Sequence, residues 1–172
     1  GASPGSTQLS LSGGTIPLPG GVVVLTNALN QIVEINAEDL YAVVQPGVIT
    51  AKLAQAVEAK GLFYPPDPGS MAVSTLGGNV AENAGGLRGL KYGVTLNYIM
   101  GLNFFSAAGD TVKTGSRTVK CVTGYNLTGL LVGSEGTLGV ISEIILKLIP
   151  LPQARKAMLA TFGNVSQASE TV

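Results

Sequence analysis

The sequence has no histidine, no tryptophan and one cysteine, and only 12% of its residues are charged. Each shortage removes a class of chemistry. Without histidine there is no imidazole metal ligand, no imidazole general base and no histidyl link to a prosthetic group. No metal is expected. Cys121 stands alone, which rules out an intrachain disulfide and agrees with a reducing compartment. Ten basic residues balance ten acidic ones. With no basic stripe, nucleic acid is not an expected partner. No apolar run approaches the ~20 residues of a membrane span, and the N-terminus lacks a signal-peptide pattern. No transmembrane segment is expected.

Hydrophobic residues (45%) and glycine (24 of 172 residues) are plentiful instead. That length is room for one domain, or one and a small part of another. The hydrophobic content supports a packed core.

Residues 1–21 hold six glycines, three prolines and four serines and read as loop. Short β-type runs follow at 22–26, 31–35 and 40–47, separated by Asn- and Asp-bearing turns. "ITAKLAQAVEAKG" reads as a helix capped by Thr50, with Leu53, Ala54, Val57 and Leu62 on one face and Gly61 at its C-terminal stop. Thr75 caps a short helix through Asn83. "NYIMGLNFFSAAGDTVKTG" reads as a hairpin turning at "AAGD", with Asp110 a turn residue. A short helix is expected over 125–133 and strands over 139–150 and 154–162, with a helix beginning at Asn164 or Ser166. The chain opens on a glycine loop with no strand ahead of it, and the last helix has barely two turns before Val172. Both ends therefore read as cut, and the chain as a fragment of a larger protein.

Three glycine-rich stretches carry the chemistry: "PGSTQLSLSGG" (4–14), "STLGGNVAENAGG" (74–86) and "GSEGTLGVI" (133–141). Bare backbone N–H groups in such loops bind anions, phosphate above all. Any one of them alone is more often a tight turn. None fits the Walker or Gly-x-Gly-x-x-Gly patterns. Three together point to an extended ligand touched along its length. Lys91, Arg88 and Lys120 read as solvated side chains, and Cys121 as a small buried residue.

The segments "LSGGTIPLPGGVVV", "VVQPGV", "YPPDPGSMAVSTLGGNVAENAGG", "LKYGVTLNYIMGL" and "RTVKCVTGYNLTGLLVGSEGTLGVISEIILKLIPLP" together resemble the FAD-linked oxidases of the vanillyl-alcohol oxidase, or PCMH-type, fold. Within that family they are most similar to glycolate oxidase D-subunits and D-lactate and D-2-hydroxyacid dehydrogenases. The resemblance implies an α+β fold. Residues 1–150 would form the second α+β subdomain of an FAD-binding domain, and residues 151–172 the first strand and helix start of a cap domain. It implies non-covalently bound FAD and a dehydrogenase or oxidase that passes a hydride from C2 of a small 2-hydroxy acid to flavin N5. An iron–sulfur subunit would be a candidate electron acceptor, and the location cytoplasmic or peripheral to the inner membrane.

The motif matches imply cofactor-binding roles residue by residue. Gly5, Ser6, Thr7, Gly13 and Gly14 would form the pyrophosphate loop, although that loop departs from the family's usual "RGxGTxLSGG" spacing and lacks its arginine. Pro66, Asp67, Ser74, Thr75, Gly77, Gly78 and Asn79 would line the diphosphate and flavin. Gly85, Gly86, Tyr92 and Gly93 would continue that wall, and Glu135, Gly136, Val140 and Ile141 would sit by the adenosine and ribitol. No catalytic residue is expected within the chain. Two alternatives within the fold are a non-catalytic FAD-domain subunit of the same complex and UDP-N-acetylenolpyruvoylglucosamine reductase.

Overall fold

The structure, a computed structural model, describes residues 19–171. Its centre is a five-stranded antiparallel sheet built from β1 (Ile32–Asn36), β2 (Tyr41–Val44), β4 (Ile99–Phe105), β5 (Thr111–Gly115) and β6 (Val140–Lys147), in the order β1-β2-β6-β4-β5. Two-residue strands β3 (Leu62–Phe63) and β7 (Ile149–Pro150) pair beside it. The α+β class expected from sequence is the one observed.

Period-two patterning explains the sheet. In β6, Ile144 and Leu146 are wholly buried while their neighbours Glu143, Ile145 and Lys147 are only partly covered. β6 pairs on one side with β2, whose four residues are all buried, and on the other with β4. The β4–β5 hairpin turns through Ser106–Asp110, where the Ser106 hydroxyl accepts the backbone N–H groups of Ala108 and Asp110. Gly115 ends β5 at φ +66, a conformation that a side chain rarely adopts.

Helix α1 (Thr50–Glu58) lays Leu53 and Val57 on the core, both fully buried. Burial of that kind contributes about 1.5–3 kcal/mol per large aliphatic side chain. Ile49, not Thr50, occupies its N-cap, and Gly61 adopts φ +73 two residues beyond its C-cap Ala59. Helix α2 (Leu76–Glu82) is capped as expected: the Thr75 hydroxyl accepts the Gly78 N–H, and Asn83 closes the other end in the left-handed conformation. Short helices α3 (Gly89–Tyr92), α4 (Leu127–Leu131) and α5 (Val165–Thr171) complete the fold. Asn126 caps α4 and Asn164 holds the first turn of α5.

Two expected strands are absent. Residues 22–26 and 154–162 have strand-forming composition but no strand partner among the described residues. Val22, Val24, Leu25, Met158 and Leu159 are exposed. β-Branched residues favour a pleated, half-buried surface, and without a neighbouring strand that preference has nothing to act on. The first cap-domain strand expected within 151–172 is therefore not formed. The strand expected to run to residue 47 stops at Val44, where "QPG" introduces a proline that cannot donate to a ladder.

Candidate functional site

Two of the three glycine-rich stretches lie among the described residues, and the fold brings them together. The C-terminal end of α2 is capped by the loop that precedes β6. The Gly133 N–H donates to Val80 O and the Glu135 N–H to Ala81 O, both at 2.9 Å. Glu135 and Gly136 make this turn with φ +51 and +69. Burial, together with the nearby Glu135 charge, raises the Glu82 carboxyl above the usual range. Val140 and Ile141 open β6 opposite Phe105 and Phe104.

Beneath α2 lies a buried polar hub that the sequence did not suggest. The Thr50 hydroxyl, on a residue with no solvent exposure, accepts from Asn79 Nδ2 at 2.7 Å and meets the Ser74 hydroxyl and carbonyl at 3.0 Å. Ser74 and Asn79 are only 3% exposed. Their side chains tie the segment just before α2, through Ser74, and α2 itself, through Asn79, to α1. Thr50 is the residue that joins them, and its role becomes visible only when the chain folds back to bring Thr50 to Ser74, 24 positions on.

A second cluster fixes the segment after α2. The Asp67 carboxylate accepts the Arg88 backbone N–H at 3.0 Å and pairs with Arg88 Nε at 3.2 Å. The Arg88 guanidinium lies 5.0 Å from the centre of the Phe63 ring, which also meets Tyr92 edge-on at 5.8 Å. Arg88 is therefore a buttress and not the solvated side chain expected. Pro66 is buried next to this pair.

The glycines fall into two kinds. A Cβ on Gly77 would come within 2.7 Å of Pro46 Cβ, one on Gly86 would run into the Asp67 carbonyl, and Gly93 adopts φ +84 against Asn97. Internal packing accounts for these three by itself. Gly85 would meet only the tip of Val94. The N–H groups of Gly85, Gly86 and Leu87 have no acceptor among the described residues, and all three residues are exposed. Gly5, Ser6, Thr7, Gly13 and Gly14 lie outside the described residues.

An open cavity of about 620 Å³ lies elsewhere, between the β5 edge and segment 116–128, with Lys113, Lys147, Thr118 and Cys121 among its lining. None of the candidate cofactor residues among the described residues borders it. Cys121 is exposed, contrary to the buried position expected.

Comparison with known proteins decides the family. The FAD binding domain family matches residues 3–115. The chain belongs to this family. It is 55% identical to the glycolate oxidase subunit GlcD of Bacillus subtilis over 98% of its own length and 36% of that protein's. It is 39% identical to a D-lactate dehydrogenase of Anaerostipes hadrus (99% and 36% of the two chains). It is 40% identical to a D-2-hydroxyglutarate dehydrogenase of Stutzerimonas stutzeri (91% and 34%). Among solved structures, an alkyldihydroxyacetonephosphate synthase superposes with a TM-score of 0.71 at 27% identity, over 83% of this chain and 26% of the other. The chain thus spans about a third of the length of the curated relatives it matches. No helix among the described residues is long and apolar enough to cross a membrane.

FAD is the family's cofactor, and the donor set on this face fits it. An FAD molecule presents acceptor atoms on its diphosphate and its ring, and Gly85–Leu87 offers consecutive unspent donors.

Proposed function

We propose that this chain supplies the FAD-contacting part of a 2-hydroxyacid dehydrogenase or oxidase of the glycolate and D-lactate type. The observation that carries this reading is the 55% identity to a glycolate oxidase subunit along 98% of the chain. Relatives named for D-lactate and D-2-hydroxyglutarate share 39–40% identity and support the same substrate class, a small acid with a hydroxyl at C2. In this reading residues 1–150 are the second subdomain of the FAD domain and residues 151–172 begin the substrate-covering domain.

Bound FAD would supply the hydride acceptor for the substrate C2–H bond. The chain's own share is to hold the cofactor and exclude water. Thr75, Gly78, Gly85, Gly86, Tyr92 and Gly93 would form one wall and Glu135, Gly136, Val140 and Ile141 the other. Ser74, Gly77 and Asn79 would act from beneath, by fixing α2. Asp67 would act sideways through Arg88, with Pro66 packed beside it. No residue of this chain is assigned to proton removal from the substrate. Electrons would pass to a partner subunit or carrier, an iron–sulfur subunit being the candidate.

The test is anaerobic mixing of the full-length protein with glycolate, D-lactate and D-2-hydroxyglutarate while the visible flavin band is followed. Bleaching by at least one acid is expected. A flavin-loaded protein that none of them bleaches would point to a non-catalytic FAD subunit. A protein isolated without flavin, and unable to take it up, would overturn the reading.

A further inference from the structure

The turn Gly85–Leu87 is pinned at both ends. On its N-terminal side, the Ala84 carbonyl accepts both the Thr95 N–H (3.0 Å) and the Thr95 hydroxyl (2.7 Å), and Thr95 is fully buried. On its C-terminal side, Arg88 is held through its main chain and its side chain by one carboxylate, Asp67. That carboxylate is well covered, with 12% of the Asp67 side chain exposed against 34% for Arg88. The Arg88 carbonyl accepts the Tyr92 N–H at 2.9 Å, and the Tyr98 hydroxyl donates to the Tyr92 carbonyl at 2.9 Å. The hold thus extends through α3. Between the pins, the three consecutive N–H groups have no acceptor among the described residues. Surface loops with unspent donors are usually mobile. This one is fixed, and a donor array that does not have to be ordered on binding gains affinity.

We propose that Arg88 and Thr95 are positioning residues that hold the Gly85–Leu87 turn open as a row of backbone donors for acceptor atoms of the flavin cofactor. The inference rests on the FAD reading given above. It assigns to Arg88 a function distinct from substrate contact: it acts on the cofactor through the backbone of the turn. Asp67 and Arg88 operate as one unit, because the carboxylate serves both the guanidinium and the amide. Thr95 operates independently at the other end.

The experiment uses the full-length protein, stripped of flavin and titrated with FAD by calorimetry, with melting temperature and visible-region circular dichroism of the flavin as further readouts. Arg88→Gln and Asp67→Asn are each expected to raise the FAD dissociation constant at least about tenfold, the effect of losing one charge-assisted contact. The melting temperature should fall less in the flavin-free protein than in the FAD-loaded one, because only the loaded protein also loses contacts to the cofactor. The double variant should bind no worse than the weaker single variant, since both remove the same link. Arg88→Lys keeps the charge and should recover part of the affinity and of the dichroism. Thr95→Val should weaken binding additively with Arg88→Gln. Affinities of Arg88→Gln and Asp67→Asn within twofold of wild type would overturn the proposal. So would equal falls in melting temperature with and without FAD, which would make the pair purely structural. A wild-type protein that takes up no FAD would instead bring down the cofactor reading, and this inference with it.

Discussion

The buried hub around Thr50 gives the sharpest stability test. Thr50→Val replaces a hydroxyl by a methyl at nearly constant volume, so neither a cavity nor overpacking complicates the outcome. Asn79 Nδ2 and the Ser74 hydroxyl, on residues 3% exposed, would lose the partner they share. An orphaned buried donor costs about 1–3 kcal/mol, so two such losses, partly relieved by relaxation, should come to about 2–4 kcal/mol. Helix propensity hardly distinguishes the two residues. The loss should be local first. Native-state hydrogen exchange in the flavin-free, full-length protein should speed up roughly 30- to 700-fold for amides of α1 and α2, at 1.4 kcal/mol per tenfold, while β4 and β6 change less. Thr50→Ser is the control. It keeps the hydroxyl and removes one methyl, which should cost about 1 kcal/mol. If Thr50→Ser proves as damaging as Thr50→Val, methyl packing and not the polar hub holds this junction. Exchange rates in Thr50→Val within threefold of wild type would refute the reasoning outright.

Other outcomes can be measured directly. Tyr64 is 1% exposed and, among the described residues, its hydroxyl makes no hydrogen bond of good geometry, so Tyr64→Phe should stabilise the protein by about 1 kcal/mol, read as a higher melting temperature. Burial also pushes the Tyr64 hydroxyl above the ordinary tyrosine range. Below pH ~10 it is protonated folded or unfolded, and above that only the unfolded chain ionises, so stability should fall as pH rises and fall less steeply in Tyr64→Phe. FAD should be non-covalent, and acid precipitation should leave the yellow colour in the supernatant; colour kept in the pellet would show a covalent link. Expressed by itself, the 172-residue chain should oxidise no 2-hydroxy acid and should self-associate on a sizing column, because Val22, Leu25, Met158 and Leu159 are exposed; a monomer with sub-micromolar FAD affinity would contradict this.

Much of the fold is local enough to read from the chain. Thr75 and Asn83 bracket α2 because a hydroxyl at the N-cap and a left-handed residue at the C-cap satisfy groups only a few residues away. The β4–β5 hairpin is equally local, with "AAGD" placing its turn between two alternating runs. Residues 22–26 and 154–162 mislead for the opposite reason. Their composition states a preference for a sheet, and the decision belongs to a neighbouring strand. The same division runs through the candidate site. Its glycine stretches are legible because glycine is rare where nothing demands it. Its buttresses, Thr50 with Asn79 and Asp67 with Arg88, are pairs 29 and 21 residues apart with no period to announce them.

Glycine itself carries an ambiguity that the geometry resolves one residue at a time. A missing Cβ in "TLGGNVAENAGGLRGLKYG" can make room for a cofactor or for the protein's own backbone, and the letters are the same. At Gly77 the neighbour is Pro46, at Gly86 it is the Asp67 carbonyl, and at Gly93 the backbone φ decides. These contacts serve a ligand indirectly. The Gly86 contact lets the "PDP" loop come close enough for Asp67 to reach Arg88, and that reach is what stops the turn before Arg88 from collapsing onto its own donors. A bulky residue at Gly86 would therefore separate the loops before it touched any cofactor. Loss of FAD binding in a glycine variant at that position would report a broken buttress, whereas the same loss in Arg88→Gln, with Gly86 intact, isolates the buttress from the space it defends.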